Sequence, residues 1–324
     1  MDSTAAVAKT GKPPKPRKTR LTFKQVIQKM WQQKGLQLMV LPGLIWMFIF
    51  NYIPMGGIII AFKRFRITKS IAEAPWVGFQ NFIEFFNDNQ FVSIITNTLG
   101  ISLLKLIIGF PLPIIFALLL NEIKGTKFKK FVQTASYLPH FLSWVVLGGI
   151  MITWLDRAGM INDLLVGMGI TKEPISYLGQ PKYFWGLALI SDSWKELGWS
   201  AIIYLAAISS VDQEMYEAAT VDGATKFKKI IYITLPAIKG TIAIMFILAV
   251  SGMMNSNFDQ VFMLKNVLNS ERSNVVDIYV YEMGMRQARY SYATAIGLFK
   301  SVIATILLLA ANFTTKKLQG RSLY

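Results

Sequence analysis

Residues 215–240 read MYEAATVDGATKFKKIIYITLPAIKG. Gln213 to Val221 are predicted to form a short helix, with Ser210 or Asp212 as its N-cap. Asp222-Gly223 is a break, because Gly223 tolerates the left-handed backbone that other residues resist. A second short helix is expected from about Thr225, carrying Lys226, Lys228 and Lys229. Pro236 marks entry into an apolar block. The stretch is too long for a plain helix–helix turn and too regular for a disordered loop. It reads as a rigid helix–turn–helix projecting between two apolar segments.

Outward from it, apolar blocks recur at roughly 36–62, 91–120, 131–154, 183–208, 241–263 and 292–313. Each is long enough to cross about 30 Å of hydrocarbon. The fold class that follows is an all-α membrane protein with six transmembrane helices. The first block is too long for a signal peptide and lacks a small-x-small cleavage site, so it reads as an uncleaved anchor. Pro111 and Pro113 predict a kink in the second span. Pro139 and His140 soften the third. Asp192, Lys195 and Glu196 make the fourth the least apolar.

The 324 residues are 53% apolar and only 16% charged, with no cysteine and one histidine. This excludes a disulfide-stapled domain and a cysteine-ligated metal centre. A lone histidine with scattered carboxylates gives no metal-ligand spacing. Neither GxxxxGK[ST] nor HExxH occurs, so the chain is read as neither an ATPase nor a zinc hydrolase. The net charge is +16, but the excess lies outside the apolar blocks, unlike a basic nucleic-acid-binding fold. With the N terminus inside, 20 of the 34 Lys and Arg fall on inside segments and 11 on outside loops. The positive-inside rule therefore places both termini in the cytosol.

Four regions result. Residues 1–35 form a basic cytosolic arm, ending in a Phe23, Val26, Ile27, Met30, Trp31 pattern that suits either an interfacial helix or a solvated linker. Residues 36–90 hold the first span and an external segment. Residues 91–315 form a core with the inside loop 212–240, and 316–324 a cytosolic tail. The outer loops near 63–90, 155–182 and 264–292 are aromatic- and Asn-rich and read as folded connections.

Glu217-Ala218-Ala219, three residues, Gly223, nine residues, then Ile233-x-Leu235-Pro236 resembles the EAA loop of type I ABC importer permeases at every defined position. The resemblance covers about 91–315. The preceding span is similar to the larger-subunit type of carbohydrate permease, and Asn255 to Phe262 resembles the end of the fifth span there. The basic N terminus and overall pattern look most like the larger permeases of alginate-oligosaccharide importers. The resemblance implies a type I permease fold with cytosolic coupling helices in the bacterial inner membrane. It implies a second, homologous permease, two ATPase subunits and an extracytoplasmic solute-binding protein as partners. ATP and magnesium would sit on the ATPases, and this chain would bind no cofactor and catalyse no reaction. It implies ATPase coupling through Glu217, Ala218, Ala219, Asp222, Gly223, Leu235 and Pro236. The rival readings are an ion-driven secondary transporter, which leaves that loop unexplained, and a membrane enzyme, which lacks a catalytic constellation.

Ionisable groups inside spans are costly and face the bundle interior or a wet cavity. Asp192, Lys195, Glu196 and Trp199 share one stripe of the fourth span, which suits either a substrate-facing wall or an internal salt bridge. Lys105 reads as structural and Lys300 as cavity-facing. Asn255, Asn257 and Asp259 are candidates for sugar hydroxyls, and Trp194, Trp199, Tyr204 and Phe258 for sugar faces. The substrate-binding set is Trp194, Lys195, Trp199, Asn255, Asn257, Asp259 and Lys300, the ligand an oligosaccharide, and an unpaired Lys300 would favour a uronate.

Overall fold

The computed structural model describes residues 31–319. Among them no β-strand forms, and the only bridge pairs Lys63 with Trp76. In chain order the main helices are α1 (Lys34–Phe62), α2 (Gln80–Phe86), α3 (Phe91–Glu122), α4 (Thr126–Tyr137), α5 (Trp144–Leu155) and α6 (Met160–Gly167). There follow α7 (Phe184–Ser209), α8 (Gln213–Val221), α9 (Lys226–Met254), α10 (Phe258–Leu264), α11 (Ser270–Ser273), α12 (Val276–Tyr281) and α13 (Tyr290–Gln319). The basic arm and the Phe23–Met30 pattern lie outside the described residues.

Prolines shape the long helices. α1, α3 and α9 each contain a π turn, at Phe48–Tyr52, Lys105–Gly109 and Ile230–Thr234. Each turn ends two residues before a proline: Pro54, Pro111 and Pro236. A proline ring collides with the carbonyl four residues back and offers no N–H. The chain answers with a wider turn, in which the N–H groups of Ile53, Phe110 and Leu235 reach back five residues to Phe48, Lys105 and Ile230. At Pro111, where the sequence predicts a kink, the chain shows this π turn. At α9 it also merges the expected second short helix into the span, which starts at Lys226 rather than near 241.

Five stretches among the described residues are long and apolar enough to cross a membrane: Lys34–Phe62, Phe91–Glu122, Trp144–Gly167, Lys226–Met254 and Tyr290–Lys317. The third of these is not one rod. A turn at Asp156–Gly159 parts α5 from α6, and Leu138–Phe141 forms a 3-10 turn between α4 and α5. The block expected at 131–154 is thus two helices meeting at Pro139-His140. α7 has 26 residues, about 39 Å of helix, but its three central charges keep it out of the apolar class.

The chain divides into two compact units between Gly57 and Ile58. In the first, Lys34–Met47 buries no side chain, and Leu38, Met39 and Phe48 are exposed. In the second, three apolar clusters run along the bundle. One joins α2, α3, α12 and α13 around Phe85, Ile94, Tyr279 and Ile296. The next joins α3, α7, α10 and α12 around Ile101, Ala188 and Val261. The last joins α3, α7 and α9 around Ala117, Ala201 and Ile238. Lipid is as apolar as leucine, so close packing, not water exclusion, must hold such helices together. Gly198 of α7 shows it: a methyl group there would collide with the Ser136 carbonyl of α4.

Outside the long helices the connections are folded, as their composition foretold. Buried Asn162 donates to the carbonyls of Asp156 and Ile175, both at 2.8 Å, and accepts from the Ile175 N–H. Asp88 accepts from the hydroxyls of Tyr279 at 2.5 Å and Tyr292 at 2.9 Å, and from the Gln90 N–H at 2.8 Å. Partial burial alone would raise the Asp88 carboxyl. Those hydrogen bonds and nearby Arg289 outweigh it and hold the group below its ordinary value. Burial and the same carboxylate push the Tyr279 phenol up to about 12.

Candidate functional site

The helix of the fifth block stops inside the bundle. After Ser251 a 3-10 turn covers Gly252–Met254, Asn255 is extended, and Asn257 takes φ 51°, ψ 77° before α10 begins. A left-handed asparagine is uncommon, and here its side chain compensates. Its Oδ1 accepts from the Gln260 N–H, and its Nδ2 donates to Asp192 Oδ1 at 2.8 Å. Ser256 is buried with its hydroxyl unpartnered, while its N–H donates to Asp277 Oδ2 at 3.0 Å.

Around this break the polar groups sort into three clusters. In the first, the Lys105 ammonium lies 3.2 Å from Asp192 Oδ2 and donates to Gln260 Oε1 at 2.9 Å. Gln260 in turn donates to the Ala188 carbonyl and the Ser191 hydroxyl, both at 2.7 Å. In the second, Lys195 is buried, donates to the His140 carbonyl at 2.5 Å and pairs with Glu196 at 3.4 Å. Glu196 also meets His140 Nδ1 at 2.7 Å, and the His140 ring stacks on Trp199 with centroids 4.4 Å apart and planes 1° from parallel. In the third, Lys300 pairs with Asp277, the acceptor of the Ser256 N–H.

The expected substrate residues therefore separate. Asn257 joins the Lys105 cluster, Lys195 and Trp199 the His140 cluster, and Lys300 the Asp277 cluster. Trp194 and Trp199 are 47% and 46% exposed, and Asp259 is exposed. Asn255 lines a cavity of about 310 Å³ between α3, α7 and α9, with Ser102, Lys105, Ser200 and Tyr204. Lys300 is already partnered, unlike the unpaired ammonium expected for a uronate.

Sequence reasoning passed over Gln260 and Asp277. Gln260 sits in the quoted Asn255–Phe262 run, four residues after the break residue Ser256, and helical spacing was its available signal. Asp277 lies in Val-Val-Asp-Ile-Tyr-Val-Tyr, whose apolar flanks marked a carboxylate placed within the packing rather than on a loop.

The 212–240 loop folds locally. Asp212, one of the two expected N-caps, accepts from the Glu214 N–H at 3.0 Å to start α8. Gly223 has φ +73°. The Gly223 and Ala224 N–H groups close the helix on Thr220 and Ala219 at 3.0 and 2.8 Å. Thr225 caps α9. The Tyr216 hydroxyl meets Thr234 Oγ1 at 2.9 Å and Lys229 donates to Thr220 Oγ1 at 2.6 Å, fixing α8 against α9. Glu217, Ala218, Asp222 and Gly223 are exposed, Ala219 is half-buried, and Leu235 and Pro236 lie past the π turn. Met215, Val221 and Phe227 are 50%, 88% and 70% exposed, so the surface offered sets three large apolar side chains among its charges.

Comparison with known proteins gives these features a setting. The chain is 42% identical over 294 residues to the protein LplB of Bacillus subtilis (strain 168), covering 90% of this chain and 92% of that one. It is 42% identical over 302 residues to the polygalacturonan/rhamnogalacturonan transport system permease protein YteP of the same organism, covering 93% and 94%. It is also similar to a chain in the crystal structure of a bacterial ABC transporter involved in the import of the acidic polysaccharide alginate. That match has a TM-score of 0.84 and 37% identity, over 91% of this chain and 99% of the other. Residues 109–320 match the family described as binding-protein-dependent transport system inner membrane component, and the chain belongs to that family.

Proposed function

We propose that this chain is the larger permease subunit of an ATP-driven importer that carries acidic oligosaccharides into the cytoplasm by alternating access. Its partners would be a second, homologous permease, two ATPases holding ATP and magnesium, and a solute-binding protein outside. The observation that carries the reading is the folded α8–α9 unit, a capped helix–turn–helix with its Glu217 face exposed, which an ion-driven transporter leaves unexplained. The broken fifth block fits it: a helix interrupted beside a cavity that Lys105, Ser200 and Asn255 line is tolerated where backbone faces protein or a wet path rather than lipid. The uronate-polymer names of the relatives support the substrate class.

On this reading α7 is a sixth crossing, its charges made tolerable by pairing with Lys105 and His140, and both termini are cytosolic. The cavity residues Asn255, Lys105 and Ser200 and the nearby Asn257 lie along the path. Asp259, Trp194, Trp199, Lys195 and Lys300 frame it or hold its walls. α8 and the start of α9 form the docking element, with Glu217 anchoring it, Ala218 and Ala219 allowing close approach and Gly223 setting the turn. The test is reconstitution with the partner subunits in vesicles and a screen of saccharides. Uronate oligosaccharides should stimulate ATP hydrolysis and accumulate inside. ATP-independent accumulation driven by an ion gradient would sink the reading.

A further inference from the structure

Among the described residues, the three lysines in the middle of the spans are each committed to a carboxylate of the chain itself: Lys105 to Asp192, Lys195 to Glu196, Lys300 to Asp277. An acidic substrate therefore finds no unpaired ammonium there. Two cations that make no close ion pair, Lys182 and Arg272, lie where α7 begins and the α10–α12 connection folds over it. A cavity of about 470 Å³ there is lined by Gln180, Pro181, Lys182, Trp185, Glu271 and Arg272, within the range of roughly 300–1,000 Å³ common for small-ligand clefts.

Its wall is built. Trp185 Nε1 donates to Asn97 Oδ1 at 3.3 Å and to the Arg272 carbonyl at 3.1 Å. A methyl group at Gly100 would collide with the Trp185 ring, so α3 is cut back to receive it. Buried Asn97 donates to the Glu271 carbonyl at 2.9 Å and the Asn274 carbonyl at 3.0 Å, fixing the backbone on both sides of Arg272. The Arg272 guanidinium lies 5.2 Å from the Trp185 ring centroid. The Lys182 ammonium stands over Tyr183 at 4.8 Å. Glu271 is the one acidic lining residue. It reaches Arg272 Nε only at 4.0 Å, with its side chain 74% exposed, a contact worth little in water.

We propose that this cavity is a uronate subsite at the outer mouth of the path, which receives one end of an acidic saccharide as it leaves the binding protein. Arg272 presents a planar fork that matches a carboxylate with two parallel hydrogen bonds. Lys182 adds a second positive charge, Trp185 an aromatic wall for sugar C–H groups and Gln180 an amide for hydroxyls. The assignment rests on the acidic-oligosaccharide reading above.

The test uses the assembled importer in nanodiscs with its binding protein. Uptake of a uronate oligosaccharide of defined length is measured for wild type and for Lys182→Gln with Arg272→Gln. Docking of the empty binding protein is measured in parallel. The variant should raise the KM for uptake about tenfold, the loss expected when charge-assisted bonds to a carboxylate are removed. Empty-protein docking should stay within about twofold. Arg272→Lys alone should recover part of the loss, because it keeps the charge and loses the fork. A docking loss equal to the uptake loss would make the patch a protein interface and overturn the assignment, as would an unchanged KM. Failure of the wild type to take up any uronate would instead remove the reading beneath it.

Discussion

Removing the Lys300 ammonium would leave Asp277 with only the Ser256 N–H as a partner, in a setting where its side chain is 18% exposed. Orphaning a fully buried charge costs about 3–5 kcal/mol, and this partly buried carboxylate should cost less than that. Lys300→Ala should therefore lower the thermal stability of the assembled complex, and adding Asp277→Asn should recover most of it. If Lys300→Ala instead impairs only the uptake of acidic saccharides at unchanged stability, the ammonium serves the ligand. Asp88 gives a second residue-scale expectation. Its carboxyl is held below the ordinary 3.8 by the folded state. The stabilisation is therefore fully present above that value and is lost as pH falls through the lowered one. Melting profiles between pH 7 and 3 should fall steeply only at the acid end, and Asp88→Asn should flatten that fall. At this scale the sequence was half legible. The cost of intramembrane charge singled out Lys105, Asp192, Lys195, Glu196 and Lys300. Their partners were not readable, because Asp277 and His140 come close only through long-range packing.

The α8–α9 unit was the most legible element, because its shape is set by neighbours in sequence: an Asp212 cap, a Gly223 turn and a Thr225 cap. Gly223 has open space around it, so only its φ of +73° restricts replacement. Gly223→Ala should cost about 1–2 kcal/mol locally and reduce coupling in part. Gly223→Pro also loses the N–H bonded to Thr220 and should abolish saccharide-stimulated ATP hydrolysis, as should Glu217→Ala, while the permease pair still purifies. Normal transport by both variants would end the docking assignment. Less legible was the third block. The block at 131–154 joins the end of the polar α4 to the apolar α5, and Pro139 forces the break between them.

For the molecule as a whole, the unburied side chains of Lys34–Met47 and the exposed apolar tip of α8 are surfaces that ask for lipid or protein. Expressed alone, the chain should yield little monodisperse material. Co-expression with the second permease and the ATPases should raise that yield several-fold by mass action. Equal yields in both cases would mean that lipid suffices to cover these surfaces. The all-helical membrane class followed from block length and charge alone, since both are summed over many residues and survive local misreadings. The site did not, because it depends on which face of each helix turns inward.

The π turn ahead of Pro236 sets a phase. An α-helix advances about 100° per residue, and one surplus residue taken up in a wider turn leaves the flanking segments in step. The inward face at Ile238, Gly240 and Ala243 and the lysines at 226–229 are therefore kept in angular register by a single proline. Pro236→Ala would let Ile230–Thr234 relax to ordinary pitch and rotate α8 by about 100° about the α9 axis. Transport should fail while the bundle stays folded. Deleting one residue from that turn in the same variant should bring the angle back, and activity with it. If the deletion does not rescue, the proline acts through rigidity rather than through angle.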